Sequence, residues 1–167
     1  MKRGQTGKYF EAQFVKSFNN KYIGRKDLAI LRLKDCGFIK RADIGDYIIF
    51  YKDKVLNIEL KAQKDGKLYS SEIREDQIKK WSNFEYSNIR IPIYIVKNEA
   101  TKEIGIFFKD EILEMYKNGK IDEKNAKLKI KYGNQKIPYN FDEILKAIDD
   151  KFAKKKKSNK TQNLIPW

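Results

Sequence analysis

The sequence predicts an α/β protein, a β-sheet core flanked by helices, and three features predict it. Aromatic residues recur at helical spacing near the N-terminus. Two β-branched and aromatic segments within residues 46–62 are separated by a short polar turn, and the remaining chain alternates strand-like with helix-like stretches. At 167 residues the chain suffices for one sizeable core, since domains cluster near ~100–150 residues. The expected organisation is a single domain over 1–152 and a basic tail over 153–167.

From Thr6 to about Phe18, the residues Phe10, Phe14 and Phe18 fall every four positions with Val15 beside them, the stripe of a helix packed on a core. Leu28–Leu33 and Phe38–Arg41 read as short strands or irregular connections punctuated by Gly37. Asp46–Tyr51 and Val55–Ala62, separated by Lys52-Asp53-Lys54, read as an antiparallel hairpin. A helix is expected from Ser71 to about Phe84, capped by Ser70 or Ser71, with Ile73, Ile78 and Trp81 turned inward. Two apolar strands, Ile91–Val96 and Glu103–Phe108, flank a turn at Asn98–Thr101. A short helix over Asp110–Tyr116, a strand over Lys127–Tyr132 and a closing helix from Phe141 to about Phe152 complete the core, the last with Ile144, Leu145 and Ile148 at helical spacing. Six lysines then fall between Lys151 and Lys160, the composition of a solvated arm able to track phosphates.

The 37 Lys and Arg against 23 Asp and Glu leave a net charge of +14, a field that attracts polyanions, and nucleic acid is the partner it suggests. The single Cys36 has no intramolecular disulfide partner. No apolar run resembles a signal peptide or reaches the ~20 residues that span a bilayer, so a reducing, cytoplasmic setting is expected. The chain contains no histidine, which excludes Ser-His-Asp and Cys-His catalysis and every histidine metal site. Any bound metal must take oxygen ligands, which favours Mg2+ or Mn2+.

A Glu-x-Lys triplet is common in so charged a sequence, and its setting decides its interest. Side chains alternate across a strand, so Leu56, Ile58, Leu60 and Ala62 share one face while Asn57, Glu59, Lys61 and Gln63 share the other. The other acid-x-Lys triplets, at Asp65, Asp122 and Asp149, lie in a turn, a polar loop and a helix end. Asp46 opens the partner strand, and the hairpin can return it close to Glu59. Two carboxylates would then converge on one metal, with Lys61 beside them to position a water or stabilise a pentacovalent phosphorus. The plain alternative is a Glu-Lys ion pair on an exposed strand, with Asp46 as a turn residue.

Asp46-Tyr47, eleven intervening residues and then Glu59-Leu60-Lys61 is similar in order and spacing to the RecU-type Holliday junction resolvases of the PD-(D/E)xK nuclease superfamily. The likeness extends to the Gly-x-x-x-Phe-Glu-like opening within Gly4–Glu11 and to Gln77 on the helix after the catalytic strand, and spans roughly Arg3 to Phe108. It implies a restriction-endonuclease-like core, a mixed β-sheet flanked by helices. It further implies metal ligation by Asp46, Glu59 and Gln77, a catalytic lysine at Lys61 and a supporting catalytic role for Glu11. Two departures stand out. Ile44 occupies a position where the family often carries a hydroxyl, and the segment before Asp46 has no room for the long stalk that RecU-type enzymes are thought to insert at a junction.

Lys40, Arg41, Arg74 and Lys79 flank the expected site and are its candidate phosphate contacts; Tyr69 and Trp81 are candidates for stacking on unpaired bases, although Trp81 also suits the core. The function expected is a Mg2+-dependent, structure-selective DNA endonuclease acting on branched or four-way-junction DNA as a homodimer. A restriction-type or phage nuclease of the same superfamily and a non-catalytic DNA-binding protein are the alternatives.

Overall fold

The aromatic stripe winds into α1 (Arg3–Tyr22), a helix two residues shy of reaching Gly24, whose φ of 85° lets the chain turn away. Phe10, Phe14, Phe18 and Tyr22 are all buried, one per turn. Phe14 and Phe18 pack on Phe141 with ring centroids 5.2 and 5.1 Å apart, the latter edge to face. Burying each such ring stabilises the fold by roughly 1.5–3 kcal/mol, so the spacing of four residues is what docks the helix. The structure, a computed structural model, describes residues 3–33, 45–63, 67–69, 73–82, 90–118, 120–122, 126–131 and 141–150. The expected segment 38–41, the Ser70 and Ser71 caps and the lysine-rich tail lie outside the described residues.

The strands are β1 (Leu28–Arg32), β2 (Tyr47–Tyr51), β3 (Lys54–Gln63), β4 (Lys67–Tyr69), β5 (Arg90–Asn98), β6 (Glu103–Phe108), β7 (Lys120–Asp122) and β8 (Leu128–Lys131). Helices α2 (Glu75–Ser82) and α3 (Lys109–Lys117) lie between them, and α4 covers 141–150. Six strands form one mixed sheet in the order β1-β2-β3-β5-β6-β8. The β3 and β5 pair is parallel and every other pair is antiparallel. A parallel pair needs a crossover connection, and α2 lies in it. The β2–β3 hairpin turns through Lys52 and Asp53, with Lys52 at φ 53°, and pairs Tyr47 with Ile58 through to Tyr51 with Lys54.

One face of the sheet, including Ile49, Leu56, Ile58, Ile93 and Ile95, packs on α1 and α4 in the larger apolar cluster. The other face carries a smaller cluster of Ile73, Ile78, Tyr94, Val96, Phe107 and Ile112 against α2 and α3. This second layer corrects the simplest reading of β3: its polar face is not solvated, for Asn57 and Glu59 are 2% and 5% exposed. A central strand is covered on both sides, and an alternating pattern records the sidedness of a strand without recording what lies above it. The helices run to slightly different bounds from those expected, α1 reaching Tyr22 and α2 beginning at Glu75. Strands β4 and β7, three residues each, pair in a separate antiparallel ribbon and are too short to leave a period in the sequence.

Candidate active site

Asp46 enters β2 from Gly45, and the glycine is what allows the approach. A Cβ there would lie 2.6 Å from the Ile58 carbonyl oxygen and 2.9 Å from its carbon, backbone atoms that have nowhere to move. With that clearance, the Asp46 N–H donates to the Ile58 oxygen at 2.7 Å, and the Leu33 N–H donates to the Asp46 oxygen at 2.9 Å. Continuing the register of Tyr47 with Ile58 sets Asp46 opposite Glu59, and Asp46 Oδ2 accepts the Leu60 N–H at 2.7 Å. The hairpin thus returns its first residue to the expected position.

Glu59 is held at both oxygens. Lys61 Nζ lies 2.8 Å from Oε1, and Gln77 Nε2 donates to Oε2 at 3.1 Å from α2. The Gln77 amide can face only this way, because a carboxylate accepts and never donates. Its own Oε1 accepts the Tyr94 hydroxyl at 2.9 Å, and Tyr94 is the parallel register partner of Glu59 on β5. A chain of hydrogen bonds therefore runs Tyr94, Gln77, Glu59, ending at Lys61, which remains partly exposed.

Burial raises the Asp46 carboxyl to about 7, reinforced by the negative charge of Glu59, against the pull of the Leu60 N–H and of Lys61; Glu11 adds to the rise. The half-buried Asp46 carboxylate, in register opposite the buried Glu59, is thus incompletely neutralised by Lys61. The donors are all oxygen, so the residues present suit a hard divalent cation. Among the described residues, no three Asp, Glu or Cys side chains form a ready-made metal cluster. Glu11 instead accepts from Arg32 Nη2 at 3.0 Å on the α1 side, near enough to be felt at Asp46.

This architecture has a counterpart among solved structures. The Holliday junction resolvase Hjc of the archaeal hyperthermophile Archaeoglobus fulgidus superposes with a TM-score of 0.54 and 20% identity, covering 75% of this chain and 95% of that one. This chain is similar in fold to a Holliday junction resolvase. At that identity the likeness carries the restriction-endonuclease-like fold, a mixed six-stranded sheet between helices. That structure is of an archaeal enzyme, and the narrower RecU likeness of the motifs rests on sequence alone. No family of known proteins matches the sequence, and no curated protein does.

Of the residues expected at the site, the structure joins Glu59, Lys61 and Gln77 in one bonded chain, sets Asp46 opposite Glu59 on a separate anchor at Leu60, and leaves Glu11 at the margin. Arg74 precedes α2, exposed, with Nε 3.9 Å from Asp76. Lys79 points outward and pairs with Glu75 at 2.8 Å one helical turn earlier, away from the network. Lys40 and Arg41 lie outside the described residues, as do the side chains of Tyr69 and Trp81. Three contributors escaped the sequence reading: Gly45, Arg32 and Tyr94. Only Gly45 left a local signal, a glycine immediately before the acid.

Beside Glu11 a groove of about 760 Å3 opens between α1 and the start of the sheet. Lys8, Lys16 and Arg32 line it above a floor that includes Val15, Ile30 and Tyr47. Lys8, Glu11, Ala12, Val15, Lys16 and Asn19 fall at helical spacing, so one face of α1 forms one wall, with Ile30, Arg32 and Tyr47 of the sheet completing the lining. Among the described residues, no helix is long and apolar enough to cross a membrane.

Proposed function

We propose that this chain is a divalent-metal-dependent DNA nuclease of the resolvase kind, cutting phosphodiester bonds in branched DNA. The observation that carries the reading is the pairing of Asp46 with Glu59 beside Lys61, two carboxylates left short of positive charge next to a basic groove. Asp46 and Glu59 are the proposed ligands of Mg2+ or Mn2+, and Gln77, its amide oxygen turned to Tyr94, orients Glu59 in place of the ligand role the motif likeness implied. A divalent cation bound there would polarise the scissile phosphate and lower the pKa of a water. Lys61 contributes an ammonium on the same strand face as Glu59, placed to stabilise negative charge on the phosphoryl oxygens as it builds. Glu11, held by Arg32, adds a carboxylate whose field tightens cation binding at Asp46.

The groove along α1 accounts for the substrate strand. Lys8 and Lys16 are eight residues apart on one helix, about 12 Å at 1.5 Å per residue, a reach that spans more than one backbone phosphate of a strand. Arg74, Lys79, Lys40 and Arg41 are proposed as further phosphate contacts. A homodimer suits the substrate, because two sites related by a twofold axis match a pseudo-symmetric junction.

The test offers purified protein a synthetic four-way junction and a linear duplex of the same arms, each with Mg2+. Preferential nicking of the junction supports the full reading. Equal cutting of both reduces it to a nuclease without junction selectivity, and binding without cutting favours the non-catalytic alternative.

A further inference from the structure

Tyr94 sits fully buried among Ile73, Ile78, Val96, Phe107 and Ile112, surroundings in which a phenylalanine would pack as well and would leave no hydroxyl to satisfy. Removing a hydroxyl from water without a partner destabilises a fold, so a tyrosine here needs a role for its oxygen. The oxygen has one in Gln77, itself 0% exposed, which it reaches at 2.9 Å.

We propose that Tyr94 is a positioning residue of the candidate metal site, acting through Gln77 to hold the Glu59 carboxylate in the orientation that receives a divalent cation. The inference rests on the nuclease reading above and adds to it a residue that touches neither metal nor DNA. Its physical basis is the direction of the hydrogen bonds. Glu59 can only accept, so Gln77 must turn Nε2 toward it, and the amide oxygen then faces inward and needs a donor. The Tyr94 hydroxyl is that donor, 2.9 Å from the amide oxygen. Without it the amide loses the bond that fixes its oxygen end, and its hold on Glu59 is less well directed. The bond that fixes the plane of Glu59 at Oε2 is then weakened, while Lys61 holds only the other oxygen. Asp46 has a separate anchor in the Leu60 N–H, so the two carboxylates are aimed independently. Partners one shell removed from a metal typically carry about 10–100-fold in its affinity.

The experiment measures Mn2+ affinity by calorimetry, without DNA, for the wild-type chain, Tyr94→Phe, Gln77→Met and the double variant, alongside thermal unfolding and Mn2+-dependent nicking of a four-way junction. The expected result is a Tyr94→Phe chain that unfolds within a few degrees of wild type and binds Mn2+ at least tenfold more weakly. Raising Mn2+ should recover much of its nicking, and the double variant should bind no more weakly than Gln77→Met, because both lesions break one chain. Wild-type affinity in Tyr94→Phe overturns the inference, as does an additive loss in the double variant. A Tyr94→Phe chain that fails to fold also overturns it, assigning the hydroxyl to the core. If the wild-type chain itself neither binds Mn2+ nor nicks DNA, the nuclease reading falls first; if it does both and only the Tyr94 comparison fails, that reading stands.

Discussion

Replacing Asp46 with asparagine should stabilise the protein at neutral pH while removing its activity. In the unfolded chain this carboxyl titrates near 3.8, and in the fold burial and the Glu59 charge raise it to about 7. A raised acid binds its proton more tightly folded than unfolded. Below about pH 4 it is protonated in both states and costs nothing; as pH climbs from 4 to 7 the unfolded state ionises first and folding stability falls. Above about 7 the loss is complete. Roughly three pH units at 1.36 kcal/mol each set a ceiling near 4 kcal/mol, and water at the partly exposed carboxylate reduces the expected effect to about 1–3 kcal/mol. Asparagine keeps an oxygen for the Leu60 N–H and carries no charge to desolvate. Each kcal/mol moves the unfolding midpoint by about 2–4 °C at this chain length. Differential scanning fluorimetry at pH 4, 6 and 8 should therefore give coincident midpoints at pH 4 and Asp46→Asn several degrees higher at pH 8. Adding Mg2+ at pH 8 should narrow the gap by raising the wild type alone, since a ligand stabilises only the state that binds it. Equal midpoints at pH 8, or a variant less stable at every pH, would refute the account of a charge held at a folding cost.

Other residues give independent tests. Gly45→Ala forces a methyl against the Ile58 backbone and should shift the start of β2, lowering stability by about 2 kcal/mol or more and removing nicking; unfolding and cleavage measured together check it. Lys61→Met should keep Mn2+ affinity and DNA binding while lowering the single-turnover cleavage rate by roughly 10²–10³, the scale of losing one donor to developing charge. Lys8→Gln with Lys16→Gln should reduce the slope of log affinity for DNA against log salt by about two, whereas Lys117→Gln with Lys129→Gln, equal in charge change but outside the groove, should alter it less.

What the sequence makes legible here follows the physics of each signal. The stripe of Phe10, Phe14 and Phe18 is local and periodic, so α1 and its buried face can be read directly. Alternation likewise sets Glu59 and Lys61 on one face, and the short Lys52-Asp53 turn returns Asp46 to them. The depth of Glu59 was hidden, because it depends on α2 crossing over β3, a contact with no trace in the strand itself. Tyr94 was hidden for a related reason: it lies in the continuously apolar β5, and only the parallel register with β3 sets it beside Glu59. Arg32 joins Glu11 across a gap of 21 residues that no spacing rule encodes.

The central claim is that Asp46 and Glu59 form a metal-dependent phosphodiesterase site, and the most direct measurement is cleavage of a labelled four-way junction by purified wild-type and Asp46→Ala protein, each with Mg2+ and with chelator. The account predicts nicked product only from the wild type with Mg2+, and junction binding retained by Asp46→Ala. Cleavage by Asp46→Ala, or by the wild type in chelator, would contradict it.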